Sequence, residues 1–167
     1  TWMLSALKCY RRFKLVNHIK WMKIALDLSK KQSGRTADNP SVGCIIVKKN
    51  KIIASGVTSD GGRPHAETNA LQIAGSEARG STVYVTLEPC SHYGQTEPCV
   101  NALIQAGIKN CVIAIIDPDK RVNWRGAALL QEAGIDTLIG VCKIEAYEVN
   151  SDFFKRHNIH KFDELIY

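Results

Sequence analysis

His65-Ala66-Glu67, Pro89-Cys90 and Cys99 bring one imidazole, two sulfurs and one free carboxylate within thirty-five positions of each other. A hydrolytic zinc site needs three protein ligands, a vacant corner for water, and an acid/base beside it. Borderline-soft zinc favours imidazole and thiolate donors, which His65, Cys90 and Cys99 supply. Two thiolates neutralise much of the metal's charge, so water at such a site is less acidified than at an all-histidine one. A neighbouring base must help. Glu67, two residues past His65, can reach the same cavity without occupying the metal, acting first as base and then as acid. Each fragment alone is weak, because many helices open with His and Glu, and Cys90 and Cys99 could be buried thiols. Together, in this order and with Pro89, they point to zinc. His92 is the nearest candidate for a fourth ligand, which would close the site into a structural one; its expected place is the pocket wall.

The elements that must hold these groups follow from periodicity. Ile19, Met22, Ile24, Ala25, Leu26 and Leu28 predict a helix over 19–29. A loop follows over 34–40, then an antiparallel hairpin of strands 42–48 and 52–57 split by Lys49-Asn50-Lys51. Residues 60–64 read as a flexible connection and His65 as the start of a helix to about Ala74. A third strand is expected over 82–87. A proline-bounded loop, 88–98, leads to a helix from Cys99 to Ala106 closed by Gly107. His65 and Cys99 therefore each open a helix, where the N-terminal field favours thiolates and other negative charge. The apolar run 111–116 predicts a parallel strand buried on both faces. A helix over 125–133, a strand over 135–139 and a last helix over 143–155 complete the chain. The late alternation predicts an α/β/α three-layer sandwich around a mixed five-stranded sheet. No repeat or linker divides it, so one domain over 19–156 is expected, with a basic extension before it (1–18) and a short tail after it (157–167).

A chain of 167 residues is long enough for one domain with a real core. No apolar run approaches the roughly 20 residues of a membrane span, and the opening Thr1-Trp2-Met3-Leu4-Ser5-Ala6-Leu7 is too short and poorly flanked for a secretory signal. The net charge of +6 suggests nucleic acid until it is located. Lys8, Arg11, Arg12, Lys14, Lys20 and Lys23 all precede Asp27, the first acid, and the other basic residues are balanced by the 16 acidic ones. A balanced body lacks the footprint that tracks a phosphate backbone. The basic extension reads as a solvated segment, with an organelle-targeting leader or a contact arm as the alternatives. Of six cysteines, Cys44 and Cys111 fall in apolar strands, and Cys90 and Cys99 in polar, turn-rich sequence. That usage fits a reducing compartment, most simply the cytoplasm, rather than a disulfide framework.

The motif H-x-E…P-C-x-x-C marks zinc nucleobase deaminases, and here the second spacing lengthens to C-x8-C. With that loop the chain resembles the riboflavin-pathway pyrimidine deaminases, a branch of the cytidine-deaminase-like superfamily. The resemblance covers about 21–156. It is carried by Gly34-Arg35-Thr36…Asn39-Pro40-Ser41-Val42-Gly43-Cys44, Pro64-His65-Ala66-Glu67, Thr86-Leu87-Glu88-Pro89-Cys90-Ser91-His92-Tyr93-Gly94, Cys99, Asp117-Pro118 and Asn150…Phe153-Phe154-Lys155-Arg156. It implies a cytidine-deaminase-like fold with zinc on His65, Cys90 and Cys99, and Glu67 as proton shuttle. Asn39 would contact the base and Asp117 the ribose side. The implied reaction removes the 2-amino group of 2,5-diamino-6-ribosylamino-4(3H)-pyrimidinone 5′-phosphate, and a homo-oligomer is implied too. Read without the family, Asn39 is equally a turn residue before Pro40, and Asp117-Pro118 a strand end.

Three positions depart from the family. Thr58 stands where a histidine is usual, Gln95 where the metal loop usually has Lys or Arg, and Asp119 where D-P-N-P has Asn. Thr58, Gln95, Asp119 and His92 are the remaining expected substrate contacts. A lost base and a gained acid weaken phosphate recognition; Lys120, Arg121 or Arg63 are the candidates to compensate. Many relatives continue into a reductase domain, whereas this sequence ends soon after Arg156, so the reductase is expected as a separate protein or as a part removed. No dinucleotide-binding glycine fingerprint is present. The competing readings are a zinc deaminase of another aminopyrimidine or nucleotide and, from another class, a non-catalytic zinc or nucleic-acid-binding module.

Overall fold

The computed structural model describes residues 2–165, with side chains described from Leu15 onward. Five strands, β1 (Gly43–Lys48), β2 (Lys51–Val57), β3 (Thr82–Val85), β4 (Asn110–Ile113) and β5 (Asp136–Ile139), form one sheet in the order β2-β1-β3-β4-β5. β1 runs antiparallel to both β2 and β3, while β3, β4 and β5 are parallel, so the sheet is mixed as expected. The β1–β2 turn is Lys49-Asn50, both with positive φ (50° and 58°), the conformation that matches strand twist in a two-residue hairpin. Lys51 joins β2 opposite Lys48, one residue earlier than the pattern indicates.

Helices α1 (Trp2–Gln32), α2 (Ala66–Ala74), α3 (Cys99–Gln105), α4 (Arg125–Glu132), α5 (Lys143–Val149) and α6 (Ser151–Arg156) complete the fold. Two glycines show how they are layered. A Cβ on Gly43 would lie 1.9 Å from the Ala25 carbonyl oxygen of α1, and one on Gly56 would lie 2.2 Å from that of Ala66 in α2. Gly56 pairs with Cys44, the residue after Gly43, and successive residues face opposite sides of a sheet. α1, with α5 beside it, therefore covers one face, and α2, followed by α3 and α4, forms the other layer. The three-layer expectation holds.

α1 begins far earlier than 19, and the boundary expected at residue 18 falls inside it. Residues 2–18 contain no Gly or Pro and many good helix formers, so nothing in them stops the helix. The single last helix is in fact two. Asn150 leaves helical geometry (φ −117°, ψ 26°), and its amide is drawn to Ser41, accepting that residue's N–H and donating to its carbonyl, each at 2.8 Å. A contact across more than a hundred residues overrides the local pattern. Beyond α6 the chain folds back: Phe162 meets the Tyr147 ring edge-on, and Lys143 Nζ donates to the Leu165 carbonyl. The core is built from Met22, Leu26, Ile45, Ile46, Val83, Val85, Leu103, Leu130 and Phe154, each at most 1% exposed. Each contributes about 1.5–3 kcal/mol of burial. The run 111–116 is buried throughout and delivers Asp117 at the carboxyl end of β4. No helix among the described residues is long and apolar enough to cross a membrane.

Candidate active site

The carboxyl ends of β3 and β4 lead into the loops that carry the chemistry, where open α/β sheets habitually place their ligands. His65 caps the N-terminus of α2 with an extended backbone, which turns its ring toward the loop after β3. Its Nδ1 lies 3.6 Å from Cys90 Sγ and 3.4 Å from Cys99 Sγ, and the three ligand atoms all fall within 4.8 Å of one another. A tetrahedral zinc with Zn–S near 2.3 Å and Zn–N near 2.1 Å has S–N edges of about 3.6 Å. The donor set and its spacing thus fit zinc. Cys99 opens α3, and its backbone N–H donates to Cys90 Sγ at 3.3 Å. The Cys99 thiol, the His65 ring and that N–H together pull the Cys90 thiol down to about 4, while Cys99, the donor of the pair, is pushed up. The group contains these three residues among those described; His92 does not join it.

Glu67 is the second residue of α2 and only 4% exposed. Burial first, and the Cys90 sulfur second, raise its carboxyl to about 7, with His65 opposing. Around it opens a cavity of about 260 Å³. Of the residues expected to meet a substrate, Asn39, Thr58, His92, Asp117 and Asp119 line it. Gln95 does not: it is exposed on the loop between Cys90 and Cys99, where the polar run 93–97 faces solvent. The Asn39 side-chain amide packs on Gly62, where a Cβ would come within 2.0 Å of Nδ2, and it makes no hydrogen bond to any described residue. His92 Nδ1 is buried, also without a partner among the described residues. The Thr58 hydroxyl is already engaged, accepting the Val42 N–H at 3.0 Å and donating to the Pro40 carbonyl at 3.2 Å. Asp117 is raised to about 7, chiefly by burial, although it accepts the Asp119 N–H at 2.8 Å. Asp119 is forked by Arg121 and held down at about 2.

Sequence reasoning missed Glu88. Its carboxylate, 3% exposed, accepts the backbone N–H groups of Asp117, Trp124 and Ala127. It thereby caps α4 from outside and ties it to the end of β4. The signal was there: α4 opens at Trp124-Arg125-Gly126, which offers no side-chain oxygen for its own first N–H groups. Gly126 is needed for this approach, since a Cβ there would lie 2.2 Å from the Pro89 carbonyl oxygen. Phe153, Arg156 and His157 also reach the cavity, from α6 and just beyond it, as does Arg63; Lys120 does not.

Residues 15–115 match the family described as the cytidine and deoxycytidylate deaminase zinc-binding region. The riboflavin biosynthesis protein RibD of Aquifex aeolicus (strain VF5) is 49% identical over 134 residues, 80% of this chain and 38% of that protein. The diaminohydroxyphosphoribosylamino-pyrimidine deaminase of Buchnera aphidicola subsp. Acyrthosiphon pisum (strain APS) is 48% identical over 141 residues, covering 84% of this chain and 96% of that one. The Acinetobacter baumannii RibD structure superposes with a TM-score of 0.83 at 42% identity, over 89% of this chain and 41% of the other. The chain thus spans about two-fifths of the RibD proteins but nearly the whole of the Buchnera deaminase. With the family match, the sequence identities and the fold all in agreement, the chain belongs to the zinc-dependent cytidine and deoxycytidylate deaminase family, in its riboflavin-biosynthesis branch.

Proposed function

We propose that this chain hydrolyses the 2-amino group of 2,5-diamino-6-ribosylamino-4(3H)-pyrimidinone 5′-phosphate, yielding 5-amino-6-ribosylamino-2,4-pyrimidinedione 5′-phosphate and ammonia. The observation that carries this reading is a dry carboxyl, Glu67, set beside a three-ligand His65/Cys90/Cys99 centre at one cavity. The near full-length likeness to the Buchnera deaminase supports the choice of substrate.

Zinc on His65 Nδ1 and the two Sγ atoms would supply a Lewis acid that sharpens water as a nucleophile. Glu67 takes a proton from the attacking water and delivers it to the ring nitrogen beside the reacting carbon. As the new C–O bond forms, the ring C=N electron pair moves onto that nitrogen. Glu67 then takes the second proton from the added oxygen and passes it to the amine, the C–N bond breaks, and ammonia leaves behind a carbonyl. One water is consumed and the carboxylate is regenerated. A proton affinity near neutrality suits a group that must both accept and donate. The open Asn39 amide is offered to the pyrimidine edge and Asp117 to the ribose side. Thr58 holds the 38–40 loop through Pro40.

A second reading, deamination of another aminopyrimidine nucleotide, is favoured by Thr58 and Asp119, two departures from the family that line the cavity, and by Gln95 on the metal loop. It is also favoured by the likeness to the dCMP deaminase of cyanophage S-TIM5, 26% identical with a TM-score of 0.55 over 73% of this chain. Ammonia release by the zinc-loaded protein, measured on the riboflavin-pathway intermediate, cytidine, dCMP and guanine, separates them. Turnover of the first is expected; turnover of another alone selects the second reading, and none at all selects an idle zinc module.

The catalytic unit is assigned to 19–156. Its product is proposed to pass to a reductase, since the Thermotoga maritima relative, 36% identical over 87% of this chain, is named as deaminase and reductase together. A cytoplasmic setting is proposed with it; Cys44 and Cys111, buried thiols of β1 and β4, fit a reducing compartment. A homo-oligomer is carried over from the family resemblance.

A further inference from the structure

We propose that Arg63 is the residue that grips the substrate's 5′-phosphate, an assignment that rests on the deaminase reading above. Three arginines line the cavity: Arg63, Arg121 and Arg156. Arg121 is committed to Asp119, whose two carboxylate oxygens both accept from its Nε at 3.0 Å. Arg156 donates through Nη2 to the Asp38 carbonyl at 2.8 Å and lies 5.8 Å over the Phe153 ring, and the acidic Asp38 lines the same cavity. Its guanidinium is thus held between a backbone carbonyl and an aromatic ring.

Arg63 is tied neither to an acid, as Arg121 is, nor to a ring and backbone carbonyl, as Arg156 is. It forms no ion pair with any described residue, and its guanidinium makes one hydrogen bond, from Nη1 to Thr96 Oγ1 at 2.9 Å. A guanidinium carries five N–H donors in one plane, so four remain for a phosphate, which it can meet as a fork. The Thr96 bond fixes the plane in advance, which lowers the ordering cost of binding. Position matters as much as charge. Arg63 precedes Pro64-His65, and its Nη2 lies 3.3 Å from where a Gly94 Cβ would be, so it spans from the His65 segment to the Cys90–Cys99 loop. Gly94 leaves that approach open. The cation that the loop lacks at Gln95 is thus supplied from a different segment.

The cavity's acids do not cancel it. Asp119 is paired with Arg121, Glu88 is held by backbone N–H groups, and Glu67 and Asp117 are buried carboxyls. Asp38 is the exposed one, and it sits by Arg156.

The test uses zinc-loaded wild type, Arg63→Met and Arg63→Lys, assayed on the phosphorylated intermediate and on its dephosphorylated counterpart. Arg63→Met should raise KM for the phosphorylated compound roughly ten- to a hundred-fold. The ratio of kcat/KM between the two compounds should fall by the same factor, and Arg63→Lys should recover part of it. An unchanged ratio overturns the proposal. So does an equal loss on both compounds accompanied by loss of zinc, which would make Arg63 a clamp for the metal loop. If wild type turns over neither compound, the deaminase reading fails, and Arg63 is judged by calorimetry with ribose 5-phosphate. There, Kd should be at least about tenfold weaker in Arg63→Met, and equal Kd values overturn the assignment.

Discussion

Two glutamates sit almost equally deep beside the same cavity, and their neighbours decide what each can do. Glu88, 3% exposed, is surrounded by backbone N–H groups of Asp117, Trp124 and Ala127; burial raises its proton affinity and those bonds pull it back. Such a carboxylate is a fixed cap. Glu67, 4% exposed, has no comparable set of donors and rises to about 7. A carboxyl that neither gives up nor holds its proton firmly at neutral pH is suited to moving one. Glu67→Gln keeps the volume and removes the proton exchange. The variant should retain one zinc per chain by elemental analysis while kcat for ammonia release falls by roughly 10²–10⁴. A rate within threefold of wild type would remove Glu67 from the proton path.

At the scale of elements, the site depends on how closely α2 lies against β2. The contact is backbone to backbone: a Cβ on Gly56 would meet the Ala66 carbonyl oxygen at 2.2 Å and the Ala70 nitrogen at 2.6 Å. Neither atom belongs to a flexible side chain, so Gly56→Ala must push the helix outward, and His65 and Glu67 with it. Overpacking of this kind typically costs about 1–3 kcal/mol. Urea denaturation should show that loss, and zinc competition should show weaker retention; an unchanged result in both would mean the helix can slide without disturbing the ligands. This is also where the limits of reading the sequence become physical. The hairpin, the buried run 111–116 and the helix starts at His65 and Cys99 were legible, because each is set by local periodicity and turn residues. The break at Asn150 was not, because it is made by hydrogen bonds to Ser41. Nor was the placement of cations. In the sequence Gln95 and Arg63 are far apart, and only the fold shows that the loop residue faces solvent while Arg63 reaches the cavity.

For the molecule as a whole, gathering carboxyls at the ends of β3 and β4 makes stability depend on pH. Asp117 is 7% exposed, and its proton affinity rises from 3.8 to about 7 because burial disfavours the charge and Asp119 and Glu88 add to it. The folded state therefore holds a proton at Asp117 between about pH 4 and 7 that the unfolded chain has already released. Stability from this group is full below the unfolded value and is lost as pH rises through 7. A shift of about three units corresponds to at most about 4 kcal/mol. Asp117→Asn keeps an oxygen for the Asp119 N–H and cannot ionise. Urea denaturation of the zinc-loaded proteins should show the variant ahead of wild type by about 2 kcal/mol near pH 5, with the gap widening until about pH 7. At pH 8 the variant should be the more stable by up to about 4 kcal/mol. Parallel profiles would mean that Asp117 stays ionised in the folded protein. The same substitution should weaken substrate binding if Asp117 faces the ribose. The fold would then be tolerating a buried acid that destabilises it above neutrality because the site needs that acid, the usual relation between stability and function at an active site.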